Sequence, residues 1–199
     1  MKAVMISINP KWCELIASGK KTVEVRKTKP KLTTPFKCYI YCTNGKTMGD
    51  FILCKSEKNV KLFGYNAAIG INKGFAMADD IHLKGKVIGE FVCDGIRVEN
   101  EIADHLVDVG LMRHSCLSSE ELLRYADGKA LYSWHISELK IYDEPKPLCE
   151  FEHPPYLDCD IPCRLCKYGF VVYGAFGAEY DCDRELKRPP QSWCYVEEV

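Results

Sequence analysis

The chain has no run of eighteen apolar residues, so nothing in it reads as a membrane-spanning helix. Its N-terminus lacks a charged segment followed by an apolar stretch and a small-residue cleavage site, which argues against a secretory leader and leads us to expect a cytoplasmic protein with no membrane partner. Internal repeats and low-complexity tracts are missing, which excludes solenoids and disordered arrays. Net charge is also scarce, −1 over 199 residues. At 47% hydrophobic, the chain can bury a normal core as a single domain spanning 1–199.

Charge is nevertheless unevenly placed. Residues 1–58 carry twelve Lys or Arg against four acids, whereas residues 143–199 carry six basic side chains against twelve acidic ones. A chain polarised in this way can offer one basic face to a phosphate-bearing ligand, although such runs are more often plain solvated surface. Cysteine is abundant, with twelve residues. Cys38, Cys42, Cys54 and Cys93 sit inside apolar, strand-like runs and read as small buried hydrophobes in a reducing compartment.

The richest segment is Gly19-Lys20-Lys21-Thr22-Val23-Glu24-Val25-Arg26. Before it, Asn9 can cap a helix that has Pro10 at its first position, and Gly19 can supply the left-handed residue that ends it. In the strand that follows, Thr22, Glu24 and Arg26 share one side while Val23 and Val25 share the other. Phe36 to Thr43 reads as a strand leading to an Asn44-Gly45 turn, Phe51 to Cys54 as a short strand, and Asn66 to Met77 as irregular. Lys86 to Cys93 is a strand that Gly95 to Val98 continues. Ser118 with Glu121 forms a capping box that opens a helix. Leu131 to His135, Leu139 to Tyr142 and Ser192 to Glu197 complete an α+β set of about six short strands and two or three short helices, suited to a small, partly open β-barrel.

Lys21, Glu24 and Arg26 support more than one chemistry. Arg26 offers a planar fork to a phosphate or a base edge, Lys21 a point charge, and Glu24 an acceptor for an exocyclic amine. Alternatively, Lys21 could act as a general base with Glu24 as the acid. The plainest reading is an ion pair on one strand face, worth about 0–1 kcal/mol if exposed. Ser7 and Asn9 flank the helix, and Tyr41 offers an aromatic face on a neighbouring strand. The five histidines have no spacing that makes a metal or catalytic pair.

A second cluster is Cys159-Asp160-Ile161-Pro162-Cys163-Arg164-Leu165-Cys166 followed by Cys182, a C-x3-C-x2-C-x15-C arrangement. Cys159, Cys163, Cys166 and Cys182 at such spacings can close a structural zinc site. Cys149 or Cys194 could replace one ligand, and two disulfides or four free thiols are the competing readings.

The helix followed by G-x-K-x-x-E-x-R, met by Gly19, Lys21, Glu24 and Arg26, resembles the signature of the ASCH family, small β-barrel relatives of the PUA RNA-binding domain. The resemblance runs through Met5 to Pro10, Tyr39 to Thr43, Gly85 to Phe91 and Trp134 to Ser137. At Arg188 to Tyr195 it is similar to the closing segment of ASCH proteins carried by phages and prophages of low-GC Gram-positive bacteria. It leaves residues 48–84 and 149–186 as insertions, the second of them cysteine-rich. The resemblance implies a PUA-like barrel whose motif lines a cleft for RNA or a modified nucleotide, contacted by Lys21, Glu24, Arg26, Ser7, Asn9 and Tyr41. It also implies an enzyme alternative, since some relatives are amidohydrolases acting on N4-acetylcytidine and others have been assigned ribonuclease activity. In the amidohydrolases the motif lysine corresponds to Lys21, while the nucleophilic threonine stands where this chain has Glu24. A binding module is therefore the expectation, with Lys21 and Glu24 the catalytic residues if the protein is an enzyme.

Overall fold

The computed structural model describes residues 1–44, 85–100, 107–155 and 183–199 in full, and the backbone alone for 51–56, 59–64, 81–82, 169–174 and 177–182. The first element is β1 (Lys2–Ile8), an apolar strand buried from Ala3 onward. It hands over to α1 (Pro10–Ala17), whose cap is Asn9: the side-chain oxygen accepts the Lys11 N–H at 3.2 Å. The helix ends at Ser18, and Gly19 turns the chain away with φ of 71°, a conformation that glycine adopts without a Cβ penalty. Both boundaries are those the sequence implied.

The strands β2 (Val23–Arg26) and β3 (Phe36–Cys42) follow. Next come β4 (Phe51–Ser56), β5 (Asn59–Gly64) and β6 (Ile81–His82), then β7 (Lys86–Cys93) and β8 (Ile96–Glu99). Two short helices, α2 (Val109–Ser115) and α3 (Ser119–Ala126), lead to β9 (Leu131–His135) and β10 (Ser137–Pro147). The chain closes with β11 (Gly169–Gly174), β12 (Gly177–Cys182) and β13 (Trp193–Glu197).

The central sheet has the order β10-β7-β3-β1-β13, and a second has the order β2-β9-β8. All described pairings in them are antiparallel except β1 with β3. The two sheets share their chain. β7 runs into β8 across Asp94-Gly95, and β9 runs into β10 across Ile136, so two strands cross together from one sheet to the other. Gly89, between β3 and β10, sits where an added Cβ would meet the Lys140 carbonyl oxygen at 2.4 Å, so no side chain fits this crossing.

The expected barrel is not closed: among the described residues no ladder of backbone hydrogen bonds joins β2 to β1 or β13. Side chains span that seam instead. Trp193 Nε1 donates to Thr28 Oγ1 at 2.9 Å, the Lys31 N–H donates to Tyr195 Oη at 2.7 Å, and Arg26 reaches β1. Other expectations also shift. The described strands number well above six: 48–84 contains the hairpin β4–β5, of which Phe51 to Cys54 was expected, and 149–186 contains β11–β12, where no strand was expected. The break between β9 and β10 is Ile136 alone, and β10 starts at Ser137, before the expected Leu139, and runs on to Pro147.

Alternation sorts β3 onto two cores. Phe36, Cys38, Ile40 and Cys42 join Val4, Ile6, Ile8, Ile16, Phe91 and Trp134 in one. Tyr39 and Tyr41 face the other way, with Met5, Val87, Phe151 and Leu186. A third, smaller core packs Leu111, Leu122 and Ala126 of the helices against Val25 and Leu131, fixing α2 and α3 beside β2.

Candidate functional site

Lys21 lies just before β2, and its side chain is 98% buried. Its ammonium donates to the carbonyls of Val23 at 2.9 Å and Ser115 at 2.8 Å, and stands 3.2 Å from Glu24 Oε2. Two of its three protons go to backbone carbonyls, and the carboxylate pairs its charge. Lys21 is therefore a cross-brace that ties the entry of β2 to the end of α2.

Arg26 is committed as well. Nη2 donates to the Ser7 carbonyl at 2.7 Å, Nη1 faces the Ser192 hydroxyl at 3.3 Å, and Nε lies 3.0 Å from Glu24 Oε1. The Nε contact pairs the charges without aligning the N–H on the oxygen, so this buried proton lacks a hydrogen-bond acceptor. Glu24 thus has one carboxylate oxygen beside each cation, and each oxygen keeps acceptor capacity. Directly across the ladder stands Trp134, fully buried.

These side chains line a cleft of about 450 Å³ together with Ser7, Ile8, Asn9, Trp12, Val25, Leu117, Glu121, Arg124 and Tyr125. Five of the six candidate contact residues are brought together there: Ser7, Asn9, Lys21, Glu24 and Arg26. The sixth, Tyr41, does not line the cleft: it packs in the second core with Tyr39, Met5, Val87 and Phe151. Ser7 and Asn9 already have local partners. The Ser7 hydroxyl donates to the Pro190 carbonyl at 2.6 Å, and Asn9 caps α1. Thr22 also leaves the group, because it precedes β2 and its hydroxyl pairs with His114 Nδ1 at 3.0 Å.

What the sequence did not place is the wall made by α3. Glu121, Arg124 and Tyr125 fall at i, i+3 and i+4, hence on one face, while Leu122 and Ala126 anchor the other in the small core. The capping box is present: Ser118 Oγ accepts the Glu121 N–H at 3.1 Å, and Glu121 Oε2 accepts the Ser118 N–H at 2.9 Å. Partial burial pushes the Tyr125 phenol up, with Arg26 opposing and Glu24 adding to the rise, which sets this ring close to the central pair. Trp12 is half-buried and lines the cleft, with Lys11 4.3 Å and Lys21 5.3 Å from its ring centre.

Among the described residues no group of His, Cys, Asp or Glu is arranged to hold a metal. Cys159, Cys163 and Cys166, and the side chain of Cys182, lie outside the described residues, as does the expected turn at Gly45.

The chain belongs to the ASCH domain family, which matches residues 6–145. Among solved structures it is similar to ASCH from Zymomonas mobilis, at 17% identity, covering 98% of this chain and 88% of that one with a TM-score of 0.46. Two point mutants of that protein give 18% and 17% identity, covering 74% and 98% of this chain and 77% and 89% of theirs, both with a TM-score of 0.46. No curated protein matches the chain. No helix of the described residues is long and apolar enough to cross a membrane.

Proposed function

We propose that this ASCH protein is a PUA-like RNA- or modified-nucleotide-binding module, and that its cleft beside α1 receives a base. One observation carries the reading. Glu24, an acceptor fixed from both sides, stands next to the unspent Nε proton of Arg26 inside a partly aromatic cleft. An acceptor beside a donor complements a nucleobase edge that presents an N–H beside a ring nitrogen or carbonyl. Single-stranded RNA suits such a site, because its bases can be splayed out and read on that edge. The volume falls within the range of about 300–1,000 Å³ usual for small-ligand sites.

The test is fluorescence anisotropy with labelled single-stranded RNA, comparing wild type with Glu24→Gln and Tyr125→Ala, each checked for folding by circular dichroism. Loss of one acceptor and gain of an amide donor at position 24 weakens binding by at least tenfold, and removing the aromatic ring weakens it several-fold. Unchanged affinity in both folded variants moves the base site elsewhere, and an absence of RNA binding by the wild type ends the reading.

A further inference from the structure

The two motif cations are the obvious candidates for a phosphate, yet the geometry spends them internally. Lys21 donates to the Val23 and Ser115 carbonyls and pairs with the Glu24 carboxylate, and Arg26 directs its Nη atoms to Ser7 and Ser192. Moving either toward a phosphate would strip carbonyls of their donors and leave Glu24 without its counter-ions, a cost a surface cation does not carry.

The remaining charges at the cleft divide unequally. Of its two carboxylates, Glu24 is held by Lys21 and Arg26, and Glu121 by the Ser118 N–H and by Lys11 at 3.8 Å. Arg124 is the third lining cation. It makes no hydrogen bond or ion pair with any described residue and acts on Glu121 only at longer range. Arg124 is an exposed residue that lines the cleft, one residue from Tyr125, whose ring also carries Lys27 at 5.2 Å. A planar guanidinium fork is the group best matched to a phosphate.

We propose that Arg124 is the phosphate anchor of this cleft, so that the ligand is a nucleoside phosphate or a phosphodiester-linked nucleotide rather than a free nucleoside. The proposal rests on the nucleotide-binding reading above. In it, the floor of the cleft reads the base through Glu24 and Arg26, while α3 holds the phosphate at the rim. The motif then determines which base enters, and a residue outside the motif determines whether it must be phosphorylated.

The experiment is isothermal titration of the full chain with the four ribonucleosides and their 3′- and 5′-monophosphates, at low and physiological salt, for wild type, Arg124→Gln and Arg124→Glu. Position 124 is exposed, so both variants retain the fold. Wild type prefers one monophosphate over its nucleoside by about tenfold, a preference that shrinks as salt rises. Arg124→Gln removes the preference and leaves nucleoside affinity within twofold, and Arg124→Glu reverses it. Nucleoside binding without a phosphate preference, or a preference untouched by Arg124→Gln, overturns the anchor while sparing the base site. Binding of neither nucleoside nor monophosphate overturns both.

Discussion

Arg26 Nη2 donates to the carbonyl of Ser7 at 2.7 Å, and this single side chain joins β2 to β1 where the sheets have no backbone ladder. The same guanidinium faces Glu24 and Ser192, so three segments separated by 19 and 166 residues in sequence meet on one group. The motif is first of all a closure device, and its ligand chemistry is what that closure leaves over.

Removing Arg26 should therefore show first in stability. Arg26→Ala leaves the Ser7 carbonyl unpaired and half the Glu24 charge uncompensated in a site where the side chain is only 10% exposed. Breaking a buried pair from one side costs about 3–5 kcal/mol. Urea denaturation should show that loss, and Arg26→Lys should recover less than half of it, because one ammonium cannot meet Ser7, Ser192 and Glu24 together. A variant as stable as wild type would mean the seam is held by Trp193 and Tyr195 alone.

The capping box of α3 makes part of the stability pH-dependent. The Ser118 backbone N–H, with Lys11 assisting, holds the Glu121 carboxyl below its ordinary value of 4.5. A depressed carboxylate stabilises the fold above the unfolded value and loses that contribution as pH falls from about 4.5 through the lower folded value. The side chain is one-third exposed, so the effect is at most about 1 kcal/mol. Glu121→Gln can still accept the Ser118 N–H but no longer titrates. Denaturation midpoints between pH 6 and pH 3 should therefore fall less steeply in the variant; parallel curves would show that Glu121 contributes nothing through its charge.

How much of this was legible follows from the range of each signal. Asn9-Pro10 and Gly19 bracket α1 within ten residues, and Ser118 with Glu121 opens α3 within four, so both helices could be read locally. Alternation in Phe36 to Cys42 gave the two faces of β3 but carried no mark of which side chains reach the cleft, and Tyr41, offered as an aromatic contact, packs in the second core. The partner of Lys21 is a carbonyl 94 residues away, at Ser115. No local pattern announces such a contact, and the wall formed by Arg124 and Tyr125 depends on the same docking of α2 and α3. Closure of the barrel depends on ladders between distant strands, which composition does not encode.

The cysteines divide by burial, and labelling should reproduce the division. Burial pushes the Cys93 thiol to about 12 and those of Cys13 and Cys38 well above the ordinary range, and all three, with Cys42, are inside the main core. A thiol-exchange reagent should label exposed Cys149 in the native protein and reach those four only on unfolding. Cys159, Cys163, Cys166 and Cys182 form the remaining proposal. Cys182 ends β12 opposite Gly169, which follows Cys166 by three residues in sequence. We propose one structural zinc on these thiolates: about one equivalent by elemental analysis, with four further thiols becoming reactive on chelation while the core four stay protected. A metal-free protein would end that proposal and leave the core thiol pattern intact.

Hydrolysis of N4-acetylcytidine should be negligible. On the family resemblance Glu24 stands where the amidohydrolases have their nucleophilic threonine, and Thr22 pairs with His114 and is not among the residues lining the cleft. Lys21, the base such a mechanism would need, is buried, tied to two backbone carbonyls and paired with the Glu24 carboxylate, so it is held away from a substrate. Near-attack geometry tolerates about an ångström, less than the displacement of one residue along the chain. Chromatography of acetylated cytidine incubated with the protein for hours should find substrate unchanged. Glu24→Thr restores a hydroxyl but removes the counter-charge of Lys21 and Arg26, so at most trace turnover is expected from it. Robust release of cytidine by the unmodified chain, lost in Lys21→Ala, would mean that Lys21 leaves its carbonyl partners when ligand binds, and the cleft would then be an active site rather than a reading site.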